Sequence, residues 1–174
     1  MGGGGLLIRL VRVQKSNHRG LFPMMLQLLA VLALGLMCGS ELNVAVFAHP
    51  ILNRQPLEVH VRMRASWAAL LGRVMPFWMA GSTLLNLLLL LPFEHLNESA
   101  WKFAAVALAI QISAVAFSLV GPVPINNRIT NWTTESLPED WQAQEDRWDQ
   151  YHWWRTCGLI AAFAILVLSV SVGQ

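Results

Sequence analysis

Four long apolar blocks alternate with polar segments along the chain, and this alternation is its main pattern. The blocks cover residues 21–48, 66–92, 103–120 and 156–172. A helix needs about 20 consecutive apolar residues to cross the roughly 30 Å hydrocarbon core of a bilayer. Helices that are apolar on every face pack against lipid or against other buried helices. The pattern therefore predicts an all-α fold: a polytopic membrane protein with four transmembrane helices in an antiparallel bundle.

The polar segments divide between the two sides of the predicted bundle. Residues 1–20 begin with glycines and then carry several basic side chains, which predicts a basic, flexible N-terminal arm before a transmembrane domain of residues 21–174. Consecutive spans cross the membrane in opposite directions, so polar loop 121–155 is expected on the same face as loop 49–65. A site built from polar side chains of both loops would lie at that face.

The composition supports a membrane protein and excludes other classes. The 174 residues are 55% hydrophobic and only 13% charged, whereas soluble proteins average about 25% charged residues. The net charge is +2 and the basic residues are spread over several segments, so no nucleic-acid-binding surface is expected. Cys38 and Cys157 lie in apolar blocks, where a cysteine usually acts as a small buried side chain. A bridge between them is the open alternative.

The first apolar block contains one charged residue, Glu41. Counted at about 1.5 Å per residue along each helix, Glu41 and Arg73 of the second block lie at similar depths below the loop face. A charge inside a span is rare and faces a partner or a cavity. We therefore predict a Glu41–Arg73 ion pair, with Arg155 as the second candidate partner. The pair either ties the first two helices together or belongs to a polar cavity that contains the carboxylate.

A stripe of polar and aromatic side chains marks the start of the fourth span. Trp148, His152 and Arg155 recur at i, i+4 and i+7 and so share one face of a helix, with Glu145 one turn earlier. In the ordinary interpretation the stripe is interfacial, because tryptophan belongs to the aromatic belt and arginine reaches the headgroups. In the functional interpretation it faces the bundle and forms a site. The acidic segment 135–145 is predicted to be solvated surface.

Three histidines on the same membrane face raise the question of a metal. His49, His60 and His152 could supply imidazole ligands, and Glu41 a carboxylate. No pair has a diagnostic ligand spacing such as HxxxH or ExxH. We therefore predict no cofactor, and a metal bound by histidines is the open alternative.

The segment that follows the third span combines two prolines with an asparagine pair. Pro122 and Pro124 restrict the backbone, and Asn126 and Asn127 follow directly. Asparagine side chains can bond backbone groups that a turn leaves free. The segment is predicted to be a rigid turn close to the bilayer, whose amides either satisfy the backbone or contact a ligand.

This turn and the stripe together resemble a known family. The order P-x-N-N-R after the third span, followed by W…R-W-x3-H-x2-R at the start of the fourth, resembles the DUF1772 (anthrone oxygenase-like) family of small four-helix membrane proteins. The matching residues are Pro124, Asn126, Asn127, Arg128, Trp132, Trp141, Arg147, Trp148, His152 and Arg155. The likeness covers about residues 25–172 and is strongest over 126–155.

The resemblance implies a membrane monooxygenase that converts an anthrone into an anthraquinone with O2, without an established organic cofactor. It implies that His152, with Glu41 or His49, is the base that deprotonates a phenolic or anthrone carbon acid. Arg155 and Arg128 would then stabilise the enolate that forms. These roles are expectations about this chain.

A substrate-binding set and a set of partners complete these expectations. The predicted substrate-binding residues are Asn126, Asn127, Arg128, Trp132, Trp148 and Arg73. The two tryptophans among them would form stacking walls for an apolar aromatic molecule that enters from the bilayer. The expected partners are the lipid bilayer and that substrate, without nucleic acid, and a homo-oligomer is an open alternative.

Two other classes of function fit the sequence less well. A non-catalytic membrane subunit, or a protein that binds a small ligand or a lipid, would use the Trp-, His- and Arg-rich loop as a docking surface. A self-contained transporter is disfavoured because the four blocks show neither paired broken helices nor an internal repeat. The sequence thus predicts a multi-pass integral membrane protein, without identifying the membrane, and favours the oxygenase hypothesis.

Overall fold

The computed structural model describes residues 3–91 and 96–173, with side chains from residue 21 onward. Within these residues the chain forms helices and no strand: α1 (Gly3–Asn43), a π-helical segment (Val44–Ala48), α2 (His49–Leu52), α3 (Leu57–Leu89), α4 (Glu98–Val120), α5 (Pro122–Ile129) and α6 (Trp141–Val172). Four stretches are long and apolar enough to cross a membrane, namely Leu21–Leu52, Leu57–Leu89, Glu98–Val120 and Trp141–Val172. The predicted all-α fold with four membrane-spanning helices is confirmed.

The first span continues past the His49-Pro50 pair, so its predicted end at residue 48 is wrong. In the π-helical segment the backbone N–H of His49 donates to the carbonyl of Val44. α2 then adds one more turn, which contains Pro50; this proline lacks the N–H that would bond to a carbonyl of the preceding turn. A π segment inserts an additional residue into a helix and often marks a functional region. Here it lets the helix continue and carries His49 into the protein interior.

The three other spans begin earlier than the hydropathy pattern predicts. α3 begins at Leu57 rather than at residue 66, α4 at Glu98 rather than at residue 103, and α6 at Trp141 rather than at residue 156. The apolar pattern marks only the part of a helix that lipid can surround. Polar residues before each block can continue the helix when they pair with one another inside the bundle. The predicted end of the second span at residue 92 lies outside the described residues.

Two segments that the sequence predicts to be irregular are helical. The Pro-rich segment after α4 forms α5, in which Pro122 occupies the first turn, a position that tolerates proline well. α1 begins at Gly3, so helical backbone covers residues 3–20 of the arm that the sequence predicts over residues 1–20. The stretch between residues 6 and 20 contains no proline, and the helix of the span can therefore continue toward the N-terminus. The side chains of residues 1–20 lie outside the described part of the chain.

The bundle core is built where α6 packs against α4 and α1. Small alanines, among them Ala104, Ala107 and Ala162, are fully buried at these contacts, beside the larger Leu34 and Leu166. Lipid tails are as apolar as leucine, so close packing rather than the hydrophobic effect holds such helices together. Small side chains make that packing close. A second apolar cluster lies near the start of α6 and includes Ile125, Ile129, Trp132 and Trp148.

Gly35 and Gly39 form a GxxxG pair on α1, but only one of them makes a close contact. A β-carbon on Gly35 would lie 2.8 Å from Cε2 of Phe163 on α6. A β-carbon on Gly39 would meet no atom within 4 Å. Gly35 is therefore the position at which α1 and α6 approach each other.

We expect Gly35→Ala to lower the free energy of unfolding by about 1–3 kcal/mol, the usual cost of overpacking a filled interior. Gly39→Ala is the matched control. It should leave stability unchanged or raise it by up to about 1 kcal/mol, because alanine is the better helix former. Denaturant unfolding of both variants in detergent micelles measures the difference. Equal effects of the two substitutions would contradict the assigned α1–α6 contact.

Candidate functional site

A cavity of about 190 Å³ lies in the half of the bundle that contains the start of α6. Most of the residues that line it are apolar. Most of these apolar residues belong to α3 and α4, including Met75, Met79 and Val115. Its polar lining residues are Ser40, Glu41, Ser118, Asn126, Asn127, Trp148, His152 and Arg155. An apolar pocket with a few convergent polar groups is the usual form of a small-molecule site.

Glu41 and Arg155 both line this cavity, and they form an ion pair. Nη2 of Arg155 donates to Oε2 of Glu41 over 2.6 Å, and Nε donates to the same oxygen over 3.2 Å. Glu41 is only 2% exposed. The other carboxylate oxygen, Oε1, has no hydrogen-bond partner among the described residues. One oxygen of the carboxylate is thus held by the guanidinium, while the other remains available to a ligand.

The predicted Glu41–Arg73 ion pair is wrong. Arg73 is exposed on α3, and Arg155, named as the second candidate, takes its place. Counting residues along two helices gives the depth of each side chain but not the side of the helix from which it projects. The rotation of α3 directs Arg73 away from α1.

His152 adjoins the ion pair, and both of its ring nitrogens are engaged. Nε2 lies 3.1 Å from the backbone carbonyl of Glu41. Nδ1 lies 3.1 Å from Nη2 of Arg155 and 3.1 Å from Oε2 of Glu41. When Nε2–H donates to the carbonyl, Nδ1 can accept from the guanidinium. The imidazole therefore orients Glu41 and Arg155 and has no free nitrogen with which to take a proton from a ligand.

Trp148 lines the cavity with its ring already packed by protein groups. It stacks on His152, with centroids 4.7 Å apart and an interplanar angle of 14°. The guanidinium carbon of Arg64 lies 4.7 Å from the ring centroid, and His49 packs at 4.9 Å. The indole nitrogen Nε1 is buried and has no hydrogen-bond partner in the described part of the chain. Protein groups thus cover the ring of Trp148, and its N–H is a donor that no described protein group uses.

A second cluster of charged side chains lies next to Trp148 and joins α3 to α6. Arg64, which is 3% exposed, contacts Glu145 through Nε at 3.2 Å and Asp149 through Nη2 at 2.9 Å. Nε2 of His60 lies 2.8 and 2.9 Å from the two oxygens of Glu145. These contacts bring the start of α3 and the start of α6 together at one end of the bundle.

The two histidines of this cluster differ in their hydrogen-bond partners. His49 contacts Asp149 through Nδ1 at 2.8 Å, and Arg64 donates to its Nε2; this arrangement fits a neutral ring that carries its proton on Nδ1. His60 has acceptors on both sides, the Leu52 carbonyl at Nδ1 and Glu145 at Nε2. Its ring therefore connects the Leu52 carbonyl to Glu145 on α6.

Three members of this cluster were not predicted as site residues. Arg64 and Asp149 were missed, and Glu145 was assigned both to the stripe and to solvated surface. The solvated assignment is wrong, because Glu145 is buried. A signal existed in the sequence: Glu145, Asp149 and His152 follow helical spacing on the face of Trp148. His60 and Arg64 are likewise separated by four residues on α3.

The remaining predicted site residues divide into those at the cavity and those away from it. Asn126 lines the cavity, and its Nδ2 donates to the Ala68 carbonyl over 3.0 Å. Asn127 also lines the cavity, and no described hydrogen bond uses its side-chain amide. Arg128 is exposed and contacts Gln144. Trp132 packs in the second apolar cluster and does not line the cavity.

Within residues 3–91 and 96–173, no group of three or more His, Cys, Asp or Glu side chains is arranged to hold a metal ion. The nearby His49 and His152 rings, with centroids 5.9 Å apart, each have their nitrogens engaged by other protein groups. Cys38 and Cys157 are both free, so the alternative of a bridge between them is not realised.

Comparison with known proteins gives one family and no individual relative. A family model described as "Anthrone oxygenase" matches residues 63–165. The match covers most of α3, all of α4 and α5, and α6 through Ile165, and it includes Trp148, His152 and Arg155. No curated protein and no solved structure matches the chain. The matched residues thus contribute most of the cavity wall, whereas Glu41 lies outside the match.

Proposed function

The chain belongs to the anthrone oxygenase family, and from this premise we propose that it oxidises an apolar anthrone-type or phenolic substrate with O2 in the cavity beside Glu41. One observation carries the proposal: a buried carboxylate, held through Oε2, has a free oxygen at an apolar cavity. Such a carboxylate can act as a general base toward a weakly acidic C–H bond. The surrounding apolar wall suits a substrate without charge.

Glu41 takes the role of base in this proposal. Its Oε1 removes one proton from the methylene group of the substrate, and the electron pair of that C–H bond delocalises onto the carbonyl oxygen across the ring. His152 is the weaker candidate because both of its nitrogens are engaged. His49 belongs to the second cluster and does not line the larger cavity.

In this proposal, donors of cavity-lining residues that no described protein group uses stabilise the enolate oxygen. The Nε1–H of Trp148 is buried without a partner, and the amide of Asn127 has no described hydrogen bond. Donors fixed before the reaction, in a site of low dielectric, stabilise developing negative charge strongly. Arg155 is occupied by Glu41 and Ser118 and keeps the base in place. Arg128, expected from the resemblance to stabilise the enolate, lies outside the cavity.

Oxidation then requires only O2 and the two methylene hydrogens. The enolate transfers one electron to O2, and the two radicals recombine to form a C–O bond. The resulting peroxide anion takes the proton back from Glu41. Glu41 removes the second methylene proton as the O–O bond breaks; the hydroxide that leaves takes this proton and becomes water. The balance is one CH2 and one O2 converted into one C=O and one H2O.

The proposal predicts the fate of both oxygen atoms. Protein reconstituted into lipid nanodiscs, supplied with an anthrone and 18O2, should form the quinone faster than protein-free nanodiscs, with one 18O atom in the new carbonyl and the other in water. Oxygen uptake should equal quinone formation. The proposal would be refuted if several anthrones and phenols react no faster than without protein. A new carbonyl that lacks 18O, and so takes its oxygen from water, would also refute it.

The alternative of a non-catalytic docking protein receives less support from the same residues. Trp148 and His152 are 7% and 2% exposed, and Arg155 is turned inward onto Glu41. Side chains buried in this way cannot form a docking surface for a second protein. A non-catalytic protein that binds a small ligand would use the same cavity. The labelling experiment distinguishes it from an oxygenase, because only the oxygenase forms the quinone.

A further inference from the structure

We infer that the cavity is reached from the lipid, through a lateral opening between α3 and α4, and that its ligand is an uncharged, membrane-dissolved aromatic molecule. The route concerns binding and is independent of turnover; the identity of the ligand as an anthrone or quinone rests on the proposed function. The opening is defined here by Gly72, Pro76 and Ala80 on α3 and by Val115 and Leu119 on α4.

The residues of this opening line the cavity and are also exposed at the protein surface. Gly72, Pro76 and Ala80 are exposed on α3. On the other side, Leu119 is 64% exposed. A residue that both lines a cavity and is exposed marks the place where that cavity meets the surroundings. The opening therefore lies between these two helices and extends to Asn127 on α5, which also lines the cavity and is exposed.

The surroundings at this place are hydrocarbon, because both rims belong to membrane-spanning stretches. The α3 rim lies within Leu57–Leu89, and the α4 rim lies within Glu98–Val120. Neighbouring apolar side chains are turned outward as well: Phe77 is 80% exposed and Val120 is 79% exposed. Large apolar side chains exposed along a spanning helix contact acyl chains. A molecule dissolved in the bilayer can thus reach the opening without crossing water.

The local sequence keeps the two helices from closing over the cavity. Pro76 has no N–H, and its ring interferes with the preceding helical turn; the carbonyl of Gly72 consequently loses its normal helical donor. Gly72 and Ala80 have minimal side chains on the same rim. A β-carbon at Gly72 would lie 3.2 Å from Nδ2 of Asn126 on α5, so a larger residue there would require this amide to shift.

The route toward the nearer polar end of the bundle is filled by the second charged cluster. A smaller cavity of about 10 Å³, lined by His49, Arg64, Trp148 and Asn126 among others, separates the main cavity from that cluster. A space of this size holds at most about one water molecule. Beyond it, Arg64 links Glu145 to Asp149. A tricyclic molecule would have to break these buried ion pairs to pass, whereas the lateral route breaks none.

The test uses the rate at which a ligand exchanges, because an obstruction at the opening changes rates more than affinity. Hydroxyanthraquinone, a product-like quencher of tryptophan fluorescence, is mixed with protein in nanodiscs by stopped flow. Ala80→Phe should narrow the opening and slow association and dissociation together by about tenfold, with the Kd nearly unchanged. Leu119→Ala should widen it and accelerate both rates. Exchange rates that change in opposite directions at the two rims distinguish control of ligand passage from a general loss of structure.

Ala161→Phe is the matched control, because Ala161 is exposed on α6 and does not line the cavity. It should leave both rates unchanged. If Ala80→Phe and Leu119→Ala leave the exchange rates of a folded protein unchanged, the lateral route is overturned while the oxygenase proposal stands. Binding and gating without oxidation of any anthrone would overturn the oxygenase proposal and keep the route. Absence of quinone binding to the unmodified protein would overturn the inferred ligand class and the route together.

Discussion

Glu41→Gln is expected to lower the rate of anthrone oxidation by about 10²–10⁴-fold, the usual contribution of a positioned general base. Glutamine keeps the shape of the side chain and can still accept a hydrogen bond from Arg155 through its amide oxygen. It cannot take a proton from carbon. The loss should therefore appear in kcat, with the Kd for the product-like quinone changed much less. Oxygen uptake by protein in nanodiscs measures the rate.

The proton-transfer step can be observed without oxygen. Under anaerobic conditions in deuterated buffer, the unmodified protein should exchange the methylene hydrogens of an anthrone for deuterium faster than lipid alone. Glu41→Gln should abolish this acceleration. Glu58→Gln is the matched control, since Glu58 is an exposed residue paired with Arg62 at the start of α3. Oxidation and exchange that persist at the normal rate in Glu41→Gln would remove this residue from the proposed mechanism and reopen the role of His152.

The membrane architecture could be predicted from the sequence because it depends on few physical requirements. A span in lipid must satisfy its backbone internally and present apolar side chains, so long apolar blocks indicate helices. All four spans were recognised in this way. The ends of the helices were less predictable. His60 and Glu145 continue their helices beyond the apolar blocks because each meets a partner across the bundle, and partners on distant segments are not visible in a hydropathy pattern.

The candidate site was predicted in part, for a related reason. The spacing of Trp148, His152 and Arg155 placed them correctly on one inward face, since helical periodicity is a local property. The choice between Arg73 and Arg155 as the partner of Glu41 depended on the rotation of two different helices about their axes. Helix rotation is fixed by packing, for example by the close contact of Gly35 with Phe163. The same limitation hid the contact between Arg64 and Asp149.

The second charged cluster supplies the largest expected effect on stability. Arg64→Ala should lower the free energy of unfolding by about 3–5 kcal/mol, because it leaves the buried Glu145 and the partly buried Asp149 without this guanidinium. Two carboxylates depend on this guanidinium, at 3.2 Å for Glu145 and 2.9 Å for Asp149. Arg64 also packs over Trp148, so the cavity wall should loosen. Denaturant unfolding in detergent micelles measures the loss, and quinone binding reports the cavity.

Arg62→Ala provides the comparison for this effect within the same turn of helix. Arg62 pairs with Glu58 over 2.8 Å, but both side chains are exposed, and such pairs contribute about 0.3–0.5 kcal/mol. A triple variant, Arg64→Met with Glu145→Gln and Asp149→Asn, should recover part of the stability that Arg64→Ala loses, because it removes the uncompensated charges together with the guanidinium. Equal stabilities of Arg64→Ala and Arg62→Ala would show that the cluster is solvated. Because a solvated cluster would let water reach Trp148 from the polar end, it would also weaken the case for access to the cavity through the lipid alone.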